Sequence, residues 1–327
     1  MTRLMIALTV VLALLFFTAL VLGPANIAPL DSLRTLVIDD QGALTLVMRE
    51  IRLPRAILAV LIGASLGMTG AAMQGYLRNP LADPGLIGVS GSAALGAVLS
   101  IQTGVAATVA FALPLSALFG ALIGVFLVLL LAGPRGSSLT LILAGIAISA
   151  LAGALTSLTL NLSPNPWAAS EIVFWMMGSL VDRSMTHVWI ALPFIVVGVA
   201  LLASLARGLD ALTLGEDAAE SMGINLKRLR LTLIFGTAAV VGASTAVAGA
   251  IGFIGLVVPH VLRPFVGARP GRLLWASALG GAILLLAADI AVRVVLPTRD
   301  LKLGVLTALI GAPLFLHLIY KTRKDGL

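Results

Sequence analysis

Residues 207–230 read RGLDALTLGEDAAESMGINLKRLR and lie between two long apolar stretches. They hold four acids, Asp210, Glu216, Asp217 and Glu220, and four bases, Arg207, Lys227, Arg228 and Arg230, in a chain that is only 11% charged. Each of these charges would cost about 2.5 to 3.5 kcal/mol in hydrocarbon on insertion scales, so the stretch lies in water. Its order resembles that of helices: Leu209, Leu212 and Leu214 precede Gly215, acids follow, and then come Gly223, Asn225 and the basic run. Acids in a first turn and a glycine past a last one are helix start and stop signals. The segment reads either as two short helices on the membrane face, a shape a soluble partner can grip, or as a solvated loop with incidental helicity.

The flanking sequence sets the class. With 60% hydrophobic residues in 327 and a mean hydropathy of +1.12, the chain is an all-α polytopic membrane protein in a single domain, residues 1–327. Absence of cysteine excludes disulfides, thiolate nucleophiles and Cys-ligated metal. Ten spans are expected, at about Leu4–Leu22, Ala56–Leu77, Leu86–Ile101, Ala106–Leu131, Leu139–Leu160, His187–Leu205, Leu231–Ile251, Ile254–Val266, Leu273–Leu296 and Leu303–Tyr320. The first exceeds the ~7–15 apolar residues of a cleaved signal peptide and is read as retained, ended by Gly23 and Pro24. The loop that follows, Ala25 to Glu50, carries Asp31, Asp39 and Asp40.

Ten spans put both termini on one side. Placing them in the cytoplasm leaves 13 of the 21 Lys and Arg inside, Arg78, Arg135, Lys321, Arg323 and Lys324 among them. The positive-inside rule therefore makes residues 207–230 cytoplasmic and assigns the net charge of +7 to membrane orientation, not to nucleic acid.

Two stretches interrupt simple spans. Asn79-Pro80-Leu81-Ala82-Asp83-Pro84-Gly85 predicts a tight broken turn, with Asp83 capping the next helix. Ala248 to His260 carries Gly249, Gly252, Gly255 and Pro259 around Phe253, and such backbone at membrane depth survives only when buried in protein or lining a cavity. These five residues are candidates for a bend or gate on a translocation path. Gly63, Gly67 and Gly70 let another backbone approach closely. Gly63-Ala64-Ser65, Gly70-Ala71 and Pro80 recur 179 positions later as Gly242-Ala243-Ser244, Gly249-Ala250 and Pro259. That is either an inverted repeat or a chance match among small residues.

Arg52-Leu53-Pro54-Arg55, Asn79 to Gly85, Trp175-Met176-Met177-Gly178-Ser179-Leu180, Leu214-Gly215-Glu216, Gly249 to His260, Gly304 to Thr307 and Gly311-Ala312-Pro313 run in order through nearly the whole chain. Together they resemble the permeases of type II ABC importers, the FecCD-like family that moves ferric siderophores, haem and cobalamin. The resemblance implies ten transmembrane helices and a homodimer with the path between its subunits. It implies two cytoplasmic ATPase subunits that dock on coupling helices at about 208–230, through Leu214, Gly215, Glu216, Ala219, Met222 and Gly223. It also implies a periplasmic or lipid-anchored binding protein received by Arg52, Arg55 and Arg293, in the inner membrane of a bacterium. Interfacial snorkelling is the competing reading of these arginines, and Asp289 is positioned to pair with Arg293.

The chain has no G-x-x-x-x-G-K-[ST] phosphate loop, so ATP and Mg are expected on the ATPase partner and no cofactor or metal on this chain. An ion-coupled secondary transporter is the rival class. It needs carboxylates within the spans, and only Asp289 qualifies. Gly88-Val89-Ser90-Gly91 resembles a rhomboid protease signature, with His187, His260 or His317 as nominal bases, but no pattern brings a histidine to Ser90. Trp167, Trp175 and Trp189 are expected in an outer interfacial belt.

Overall fold

The computed structural model describes residues 1–23, 28–38, 42–109, 111–133, 137–267, 269–295 and 301–325. Pro24, Asp39, Asp40, Arg135 and the side chains of Lys321, Arg323 and Lys324 lie outside the described residues. Every regular element among them is helical. In chain order these are α1 Thr2–Val21, α2 Pro29–Val37, α3 Ala43–Leu46, α4 Leu53–Leu77, α5 Val89–Gln102, α6 Val105–Thr108, α7 Ala112–Ala132, α8 Ser138–Asn161, α9 Pro166–Met176, α10 Met185–Ser204, α11 Ala206–Leu212, α12 Glu216–Ser221, α13 Leu226–Ala248, α14 Ile254–Leu262, α15 Pro270–Val295 and α16 Leu303–Asp325.

Seven helical stretches of the described residues are long and apolar enough to cross a membrane. The other three expected spans fall on shorter apolar segments, Val89–Gln102, Ile254–Val266 and Leu303–His317. At about 1.5 Å per residue the first two fall well short of a ~30 Å hydrocarbon core.

α4 and α13 form the centre: 78% of the most apolar window of each is buried, against 11% for α1. Their small residues make this possible. A Cβ on Gly63 would overlap Gly281 and Ala282 of α15, and one on Gly70 would overlap the Gly255 carbonyl of α14. Gly70→Ala should therefore lower thermal stability of the purified chain by about 1–3 kcal/mol. Gly153→Ala on α8, where a Cβ meets nothing within 4 Å, should be neutral or stabilising by up to about 1 kcal/mol.

The second span differs from expectation. Its helix begins at Ala43, not near Ala56, and continues through a π-helical turn, Val47–Arg52, into α4. Pro54 has no N–H to donate, and the wider turn ahead of it lets the helix run on where a proline would otherwise break it. α9 also departs from the expected spans. Asn165 caps it through Trp167 N at 3.0 Å and Pro166 opens it. The repeat does not carry through as matched helices, because Gly70 sits inside α4 whereas Gly249 ends α13.

The expected broken turn is present. Asp83 Oδ1 accepts from Gly85 N at 2.7 Å and caps a 3-10 turn, Pro84–Ile87, that leads into α5. Burial raises the Asp83 pKa, opposed by the Gly85 hydrogen bond. An acid whose folded pKa is raised contributes stability below its unfolded pKa and loses it as pH rises through the folded value. Asp83→Asn keeps the cap without the buried charge and should leave stability unchanged or raised near neutral pH. Asp83→Ala should cost about 1 kcal/mol in the same melting assay.

Candidate functional site

The charged stretch 207–230 folds as two short helices, as one of its two readings expects. α11 turns Gly208, Leu209, Ala211 and Leu212 inward. The Asp210 carboxylate accepts from Gly271 N at 2.8 Å, which fixes α11 to the first turn of α15. Gly215, at φ +106, precedes the first residue of α12 in a conformation that side chains rarely adopt. The far end closes through Gly223 N to Glu220 O at 2.8 Å and Ile224 N to Ala219 O at 3.0 Å. Asn225 then caps α13 through Arg228 N at 2.9 Å.

The six candidates in this segment separate by exposure. Ala219 is fully buried and seats α12 on the bundle, so it presents nothing to a partner. Leu214 and Met222 are 68% and 63% exposed at either end of α12, beside the exposed acids Glu216, Asp217 and Glu220. Apolar side chains left in water beside a rigid charged helix make a surface suited to a protein partner. Arg78 approaches Glu216 at 3.5 Å, but both are half exposed. Such a pair contributes at most about 1 kcal/mol.

At the opposite ends of α4 and α15 the structure brings Arg52, Arg55 and Arg293 together and turns them into the protein. Arg55 Nε donates to Asp289 Oδ1 at 2.8 Å, and Arg293 donates to the other carboxylate oxygen. Arg293 also donates to Ala19 O at 2.9 Å, and Arg52 to Leu20 O and Val21 O at 2.9 and 2.7 Å. The last carbonyls of a helix lack intrahelical partners, so these arginines close the C-terminus of α1 and tie it to α4 and α15. Asp289 is fully buried and Arg52 only 3% exposed. Each of the three docking candidates thus has an internal partner, Arg293 with Asp289 as their spacing suggests, and Arg55, with 14% of its side chain exposed, is the more open member of its ion pair.

The third group lies where chain breaks meet. Gly249, at φ +73, ends α13 against the Trp175 carbonyl and Gly178. Ser179 N donates to Ala248 O at 2.8 Å, and Gly304 N to Gly178 O at 3.3 Å. The ends of α13 and α9 and the start of α16 thus form one junction. Phe253, at φ +67, opens α14 and packs over Gly311, while Gly252 is exposed and a Cβ there would meet nothing within 4 Å. Gly255 and Pro259 are buried within the chain, Gly255 against Pro84 and Leu66.

Gln74 is a residue that sequence reasoning does not single out. It is 1% exposed, donates to the Gly255 and Leu256 carbonyls at 3.4 and 3.3 Å, and accepts from Arg263 at 2.7 Å. A lone amide in an apolar helix is the available signal. No hydrogen bond joins Ser90 to a histidine among the described residues; His187 Nδ1 instead accepts from Ser184 N at 3.2 Å. Trp167 and Trp189 are exposed, and Trp175 is partly buried.

Comparison with known proteins places these features in context. The model of the FecCD transport family matches residues 11–321. The chain is 39% identical over 324 residues to the hemin transport system permease protein HmuU of Yersinia pestis, covering 95% of each chain. It is 40% identical over 279 residues to the cobalamin import system permease protein BtuC of Halobacterium salinarum, covering 84% of this chain and 73% of that one. A solved structure described as an inward-facing conformation of a metal-chelate type ABC transporter superposes with a TM-score of 0.87 at 32% identity, covering 98% of this chain and all of that one.

Proposed function

This chain belongs to the FecCD transport family, is a membrane permease subunit of an ATP-binding-cassette importer, and on that premise we propose that it moves an iron complex, a ferric siderophore or haem, across a bacterial inner membrane. Two copies form the path, a binding protein delivers the chelate to the face near Arg55, and two separate ATPase subunits grip α12. Both termini then lie in the cytoplasm.

One observation carries the reading: a rigid, charged helix with Leu214 and Met222 bared at its ends, tied through α11 to the first turn of α15. Motion imposed on α12 passes along this connection into the bundle. The Asp289 geometry argues against ion coupling, since that carboxylate is already held by two guanidinium groups. Cobalamin is the second reading, favoured by the 40% identity to a cobalamin permease.

Substrate choice is tested by ATP-dependent uptake of radiolabelled ferric siderophore, haem and cobalamin into vesicles carrying the assembled importer. Preferred uptake of an iron complex is expected; preferred uptake of cobalamin would replace the iron assignment. For the outer face, Arg55→Glu should weaken binding-protein affinity by about tenfold or more, the loss of one well-placed charge pair at about 1.5 kcal/mol or above. Arg55→Glu also sets a second carboxylate against the buried Asp289 and Arg52→Glu removes the closure of α1, so both should lower stability and affinity is read on the folded fraction. Unchanged receptor affinity in Arg55→Glu, measured by surface plasmon resonance, would remove that residue from the docking surface.

A further inference from the structure

A cavity of 430 Å³ opens where α10 ends and α13 begins, lined by Leu201, Asn225, Lys227, Arg228, Leu231, Thr232 and Phe235. Its two ends differ in chemistry. Lys227 and Arg228 are exposed cations, and no carboxylate lines the site. Among the described residues neither forms an ion pair. The Asn225 side chain is engaged in capping α13. The wall below is Leu201, Leu231 and Phe235, continuous with the bared apolar side chains of α10 such as Phe194 and Val197.

We propose that this cavity holds one anionic phospholipid of the leaflet on the α11–α12 side, its phosphate between Lys227 and Arg228 and an acyl chain along Phe235. Charge complementarity selects the headgroup, since cations between helix ends on the cytoplasmic side recognise lipid phosphates. The apolar wall selects the source: a free phosphate would use the cations and leave Leu201, Leu231 and Phe235 without an occupant, whereas an acyl chain covers them. The lipid would brace the start of α13 against the end of α10. This inference does not depend on which chelate is carried.

Native mass spectrometry of the full chain, released from nanodiscs of equal phosphatidylglycerol and phosphatidylcholine, tests the assignment. The expected result is one retained phosphatidylglycerol per chain, favoured over phosphatidylcholine by roughly 30-fold, the combined effect of two surface cations. K227Q/R228Q should lose that lipid and K227R/R228K should keep it, with circular dichroism confirming an unchanged helix content. Inorganic phosphate at millimolar concentration should leave the lipid in place. Equal retention of the two lipids by the unaltered chain would overturn the proposal whether or not the variants fold. So would unchanged retention in K227Q/R228Q, and displacement by phosphate would reduce the site to a simple anion site.

Discussion

Gly215→Val should uncouple transport from ATP hydrolysis. Gly215 adopts φ +106 and ψ 161 immediately before α12, a region that costs a β-branched residue on the order of 1–3 kcal/mol. No heavy atom lies within 4 Å of a Cβ built there, so the substitution strains the backbone without a packing clash and α12 must change its angle to relieve it. Reconstituted importer should still hydrolyse ATP while chelate uptake falls by about tenfold or more, since about 1.4 kcal/mol corresponds to a factor of ten. The ratio of uptake to hydrolysis is the readout. Normal coupled uptake in Gly215→Val would remove α12 from the path of force. Gly104→Val, a glycine of similarly positive φ and open surroundings far from α12 in sequence, is the control for backbone strain alone.

Asp289→Ala should be strongly destabilising. It leaves the Arg55 and Arg293 guanidiniums without the fully buried carboxylate that both use. Removing one partner from a buried ion pair typically costs about 3–5 kcal/mol, because the remaining charge is stranded. Replacing the whole triad with apolar residues, as in D289L/R55M/R293L, should recover most of that loss. Thermal melting of the purified chain decides the matter. A loss below about 1 kcal/mol in Asp289→Ala would mean that the three groups are solvated and do not clamp α1, α4 and α15.

These features are legible in the sequence to different degrees, and the reasons are physical. Helices α11 and α12 can be read because charge in an apolar chain is a strong signal and Gly215 and Gly223 punctuate it. The pairing of Asp289 with Arg293 follows from their separation of one helical turn. Its sharing with Arg55 does not, because that contact joins residues 234 positions apart. Closure of α1 by Arg52 is hidden for the same reason: nothing local says that an arginine will turn inward to carbonyls 31 and 32 residues away. The early start of the second span is concealed because Pro54 reads as a helix beginning, and only the π turn lets the helix pass it. α9 is concealed because 11 residues are too few for a span and its cap, Asn165-Pro166, also reads as a turn. The burial of Gly255 and Pro259 is hidden because sequence shows where a backbone can bend, not that Gly255 will meet Pro84 and Leu66 from distant parts of the chain.

The lever account is tested most directly in proteoliposomes. Because the natural chain has no cysteine, a single Met222→Cys substitution places one defined thiol beside α12, and uptake of the chelate can be followed in the same vesicles. The account predicts that uptake requires both ATP and the separate ATPase, and that adding the ATPase protects the introduced thiol from an alkylating reagent in proportion to the uptake gained. Uptake by this chain alone on an ion gradient, with that thiol equally reactive whether or not the ATPase is present, would contradict it.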